Sequence, residues 1–166
     1  MMTNNSTLYC AAYSSPLGAM EVTVSDNGVT GLFFRDQAII AADRHPLLRE
    51  VVAQLAAYFS GKLNSFTVPL DYAGTDFQQR VWKELLMIPY GQVITYRDLG
   101  IRVGGPTFTR IAGQANARNP ISLIIPCHRV IGMNGALTGY GGGIWRKKWL
   151  LEFEQRNLSG FSPLLF

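Results

Sequence analysis

Two capping boxes and two glycine-proline breaks between Thr75 and Ala117 leave this stretch few ways to fold. Thr75 is followed three residues later by Gln78, a pairing that satisfies two orphan N–H groups at a helix start. Phe77, Val81, Trp82, Leu85 and Leu86 then recur as one helical face, which Pro89 and Gly91 terminate. Thr95 with Asp98 repeats the device and opens a helix through about Val103. Gly104-Gly105-Pro106 stops that helix, and Thr107 is placed to cap another running to about Ala117. Two short helices joined by a glycine-containing turn are the outline of a helix-turn-helix.

The first half reads differently. Leu8 to Tyr13, Met20 to Val24 and Val29 to Phe34 are short apolar runs separated by Pro16, Gly18, Asp26, Asn27 and Gly28, which predicts an antiparallel meander. Pro46 to Phe59 carries Leu47, Leu48, Val51, Val52, Leu55 and Tyr58 at helical spacing, with Gly61 beyond its end. Residues 63–74 lack any sustained period and read as a linker. The expected fold class is therefore α+β. A small N-terminal antiparallel sheet lobe with a helix, residues 1–75 including the linker, precedes a mainly helical C-terminal lobe at 76–166 that holds the helix-turn-helix.

The 15 Lys and Arg against 11 Asp and Glu, a net charge of +4, suit an anionic partner such as nucleic acid. No apolar run approaches the length that spans a bilayer, and no charged leader precedes a signal core, so no membrane partner and a cytoplasmic location are expected. Cys10 and Cys127 are far apart and lack CxxC spacing, which argues against a disulfide framework and a structural zinc site. Neither a metal nor a cofactor is expected.

Chemistry concentrates at Pro126-Cys127-His128-Arg129-Val130, where one of two cysteines sits beside one of two histidines. A thiol becomes a useful nucleophile as thiolate, and an imidazole within reach can take its proton. Neighbouring side chains diverge on a strand or helix, so contact between them needs a bridging water or a bent backbone. The second helix of the helix-turn-helix presents Ala112, Gly113 and Ala115 around a single Arg110, too few polar groups for a major-groove reader. Gly113 inside a helix costs about 1 kcal/mol against Ala. That cost points to close approach of the helix backbone to another surface, either protein or DNA. Gly139-Tyr140-Gly141-Gly142-Gly143 lacks the lysine spacing of a phosphate loop and the dinucleotide-binding glycine pattern.

From Asp76 to Glu154 the chain resembles the O6-alkylguanine-DNA alkyltransferases, also called methylated-DNA-protein-cysteine methyltransferases. The matching segments are Phe77 to Trp82, Ile88-Pro89-Tyr90-Gly91, Thr95-Tyr96, Arg110 to Gly113, Asn119-Pro120, the cysteine pentapeptide, and Leu137 to Tyr140 leading into three glycines. The resemblance implies that Cys127 accepts an alkyl group from O6-alkylguanine in double-stranded DNA, irreversibly and once per molecule, with the target nucleotide flipped out. His128 would act through a water, and Glu154 would orient the imidazole and favour its charged form. The pair is then expected to depress the Cys127 thiol below the free value of about 8.5.

The same resemblance makes Tyr96 a donor to guanine N3 and has Asn119 hold the turn between the recognition helix and a strand carrying Cys127. Val130, Tyr140 and the Gly141 N–H line the base pocket. Thr95, Phe108, Thr109, Arg110, Ala112 and Gly113 face DNA in the minor groove, with Arg110 filling the gap left by the flipped base. Gly141 departs from the serine often found there, and Phe108-Thr109 replace the usual small residues. On the last helix, Trp145, Trp149, Leu150 and Phe153 are expected to form the buried face that carries Glu154. A monomer in solution is expected, with cooperativity on DNA open, and a stand-alone bacterial-type protein without a fused cysteine-rich module. Three other readings compete: a lesion-binding protein that does not transfer, which would lack the reactive cysteine; a helix-turn-helix repressor, which would carry more base-reading side chains; and a cysteine hydrolase, which would place a second histidine near the thiol.

Overall fold

In the computed structural model, which describes residues 7–36 and 44–159, the first three apolar runs pair as an antiparallel meander. Its strands are β1 (Tyr9–Ser15), β2 (Gly18–Val24) and β3 (Val29–Arg35). The period of two along β2 turns Met20, Val22 and Val24 inward, each fully buried. Against β1 and β2 packs α1 (Pro46–Phe59), whose Leu48, Val51, Leu55 and Tyr58 form the matching apolar stripe. Pro46 occupies the first turn, and the His45 side chain accepts from the Leu47 N–H.

The stretch expected to be a linker does more than connect. Val29 N–H donates to the Pro69 carbonyl and Asp71 N–H to the Val29 carbonyl, forming a parallel bridge at the outer edge of β3. Gly28 permits it, since a Cβ there would lie 2.8 Å from the Pro69 and Leu70 backbone. The chain divides into two compact units, the first ending at Ala73 and the second starting at Gly74.

The second unit opens with α2 (Asp76–Leu86), and both bonds of the Thr75/Gln78 capping box form. Its Val81, Trp82 and Leu85 are buried, and the Trp82 indole N–H donates to the Ala115 carbonyl at 2.9 Å. A two-residue strand β4 (Ile94–Thr95) leads into α3 (Tyr96–Val103), opened by the complete Thr95/Asp98 box. The next helix, α4 (Thr109–Ala117), begins later than Thr107 allows. Pro106–Phe108 is a turn of 3₁₀ helix, and Thr109 donates its hydroxyl to the Pro106 carbonyl instead of a threonine capping α4. Helices α3 and α4 pack together closely because Gly100 lacks a side chain: a Cβ there would stand 2.7 Å from the Thr109 nitrogen. The unit ends with β5 (Val130–Ile131), parallel to β4, and α5 (Ile144–Ser159).

Candidate active site

The segment between α4 and the cysteine is built around Asn119. Its side-chain amide donates to the Ile125 carbonyl at 2.7 Å, and its oxygen accepts from the Ile121 N–H at 2.9 Å. The intervening chain doubles back through Leu123, held at φ +72° with its side chain 1% exposed. A left-handed leucine costs about 1 kcal/mol or more, and burial of Ile121, Leu123 and Ile125 offsets it.

This tight loop delivers Cys127 on a 3₁₀ turn, Cys127–Arg129, and not on a strand; pairing with β4 begins only at Val130. Three residues per turn send successive side chains about 120° apart, so one turn aims thiol, imidazole and guanidinium in three directions. All three are buried, His128 completely.

The buried face of α5 corrects the sequence expectation. Trp145 is 57% exposed, whereas Lys147, Leu150, Leu151 and Glu154 point inward at i, i+3, i+4 and i+7. Two charges therefore lie on a core stripe. Glu154 Oε1 accepts from His128 Nε2 at 2.8 Å and Arg129 Nη2 at 2.9 Å. Its Oε2 accepts from Arg129 Nε at 2.9 Å and the Gly91 N–H at 3.0 Å. These donors hold the Glu154 carboxyl far below the ordinary range although burial alone would raise it. An ionised Glu154 requires a proton on Nε2. In a neutral imidazole Nδ1 is then the acceptor, and it is buried with no hydrogen-bond partner among the described residues.

Lys147 is a buried charge beside the site that sequence reasoning missed. Its ammonium donates to the Thr138 carbonyl at 2.9 Å and the Tyr96 hydroxyl at 3.3 Å, while Tyr96 also donates to Thr138 at 2.9 Å. Burial lowers the lysine to about 8. A signal existed in the sequence: Lys147 and Glu154 flank Leu150 and Leu151 at the spacing of one stripe.

The expected depression of the thiol by an imidazolium is opposed by burial. Burial pushes the Cys127 thiol up, opposed mainly by a hydrogen bond from Asn119 and the charge of Lys147. Burial also pushes His128 down, and this outweighs the upward pull of Glu154. Tyr140 is half-buried with its hydroxyl enclosed, and its phenol is raised well above its ordinary range, by burial first and by the nearby Cys127 next. Gly141 is open, and a Cβ there would meet nothing within 4 Å. Val130 is fully buried.

On α4 the exposed side chains are Arg110, Ile111, Gln114 and Ala117, followed by Arg118 at the C-cap. Ala112 is fully buried and is not part of the outer face, a correction that follows from its position on the core stripe with Ala115 and Asn116. Phe108 turns back as well: its ring packs tilted against Phe77, with centroids 6.0 Å apart, and lies over Gly104. Thr109 is spent on the turn, and Thr95 on its cap. Gly113 faces the Tyr96 ring, but a Cβ would sit at 3.4 Å, an ordinary contact. The protein side therefore does not require a glycine there.

A buried cysteine next to a buried His-Glu pair, in the same unit as a helix-turn-helix with an exposed Arg110, fits a thiol-dependent protein that works on nucleic acid. The description "6-O-methylguanine DNA methyltransferase, DNA binding domain" matches residues 76–156, and its "ribonuclease-like domain" matches residues 8–72. The methylated-DNA–protein-cysteine methyltransferase of Mycobacterium leprae is 43% identical over 91% of this chain and 94% of its own. That of Methanosarcina barkeri is 45% identical over 91% and 99%. A crystal structure of Mycobacterium tuberculosis OGT in complex with DNA superposes with a TM-score of 0.82, at 44% identity over 90% of this chain and 94% of that one. The chain belongs to the 6-O-methylguanine DNA methyltransferase family.

Proposed function

We propose that Cys127 takes the alkyl group from O6-alkylguanine in double-stranded DNA, once per molecule, and leaves guanine restored. Family membership makes the chain a DNA-repair methyltransferase, and the observation that carries the residue assignment is the orphan Nδ1 of His128, held by Glu154 on the turn that bears Cys127. The thiol proton passes through one water to Nδ1 as sulfur attacks the alkyl carbon. The sulfur–carbon bond forms, the carbon–O6 bond breaks, and its electron pair goes to the purine. Tyr96 gives a proton to N3, so the leaving base departs neutral, and the phenolate left behind regains a proton from water as His128 gives up the one it took from the thiol. To do so its hydroxyl turns from the Thr138 carbonyl, and Lys147 remains there to hold the carbonyl. The charge of Lys147 also favours the thiolate.

A thioether has no polarised carbonyl for water to attack, which makes the transfer irreversible. Cys127 is buried, so the base must leave the helix to reach it, with Arg110 entering the vacated stack. Tyr140, the Gly141 N–H and Val130 line the alkyl and base pocket, and Gly113 lets the α4 backbone approach DNA. The protein acts as a monomer. The test is Cys127→Ser, which should keep binding of O6-methylguanine duplex while losing all demethylation. Continued demethylation by that variant would refute the proposal, and a parent that binds the lesion without ever losing its thiol would favour a lesion-binding protein.

A further inference from the structure

We propose that Arg129 is a positioning residue for the transfer: by pairing with both oxygens of Glu154 it offsets the carboxylate charge, so that His128 rests as a neutral base. The inference rests on the reading that His128 receives the thiol proton. A lone buried carboxylate 2.8 Å from an imidazole would convert it to imidazolium, and an imidazolium has no lone pair to offer. Arg129 opposes this with geometry. Its Nε and Nη2 form a fork on the two carboxylate oxygens, each at 2.9 Å, while Nη1 is anchored on the Ile88 carbonyl at 2.7 Å and the guanidinium lies over the Tyr90 ring. Burial is the largest influence keeping His128 neutral and the Glu154 charge opposes it; the Arg129 fork offsets part of that opposing pull, while Glu154 fixes the ring tautomer.

The groups facing His128 agree. Glu154 and Lys147 reach it from α5 and Arg129 from its own turn, two cations against one anion. Cys127 adjoins it on that turn, and Tyr140 is acted on by Cys127, Arg146 and Glu154. Lysine in place of Arg129 would retain the charge but lose the fork; methionine would retain the volume and lose both.

The test is ¹⁵N NMR titration of the imidazoles, simple to assign because the chain has only His45 and His128. In the parent protein His128 should be the neutral Nε2–H tautomer at pH 7, with a midpoint below the ordinary value near 6.5. In Arg129→Met the midpoint should rise by about one pH unit, the low end of what a neighbouring opposite charge produces, and the acid limb of the transfer rate should move with it. Arg129→Lys, which keeps the charge without the fork, should bring both part of the way back to the parent values. An imidazolium in the parent at pH 7 would overturn the proposal, as would a folded Arg129→Met protein with the parent midpoint. Should the methionine variant not fold, the parent and lysine titrations decide. Transfer failing at Cys127 while His128 titrates as described would instead refute the reading beneath it.

Discussion

Lys147 illustrates how a single side chain can be placed against stability. Among the described residues its ammonium has no carboxylate partner, yet it is fully buried, and burial lowers it to about 8. A base whose folded value lies below its unfolded value near 10.4 costs stability while charged, and that cost lifts as pH rises from about 8 toward 10.4. Lys147→Met should therefore raise stability at pH 7 by about 1 to 3 kcal/mol in urea unfolding. Tyr96 and Thr138 would still satisfy each other. The same variant should slow alkyl transfer by at least about tenfold, since it loses the charge that favours the thiolate. A residue kept only for packing would move stability and rate in the same direction. At Gly141, where no φ restriction and no neighbour opposes a side chain, Gly141→Ser should fold with an unchanged melting temperature and transfer at least as fast as the parent.

At the scale of elements, the recognition helix α4 gives a sharper expectation. Arg110 is exposed at its first turn, away from Cys127 on its 3₁₀ turn, so Arg110→Ala should slow repair of duplex DNA by at least about tenfold while leaving transfer from the free base O6-benzylguanine unchanged. Equal losses on both substrates would assign Arg110 to the pocket or the fold. The local code was readable here: both capping boxes, the glycine-proline stop and the α1 stripe lie where the sequence put them, because each is a contact between near neighbours in the chain. What was not readable depends on distant partners. Phe108 folds back on Phe77, 31 positions earlier. The pairing of residues 69–71 with β3 needs Gly28, and the inward turn of Lys147 needs Tyr96 and Thr138. The 3₁₀ setting of Cys127 likewise arises from Asn119 pinning a loop, which no local periodicity announces.

Over the whole molecule, the Glu154 cluster ties stability to pH. The folded carboxyl lies far below its unfolded value near 4.3, so its contribution is present above about pH 4.3 and is lost as pH falls toward the folded value. Glu154→Gln should be less stable than the parent at pH 7 by about 3 kcal/mol, as expected when a buried ion network loses its anion, and the gap should narrow on acidification below pH 4. The central claim is the covalent one, and intact mass measured after incubation with O6-methylguanine duplex tests it most directly. One added methyl per protein, mapped to Cys127 and never exceeding one lesion repaired per molecule, is the predicted result; methyl on Cys10, or repeated turnover by substoichiometric protein, would contradict it.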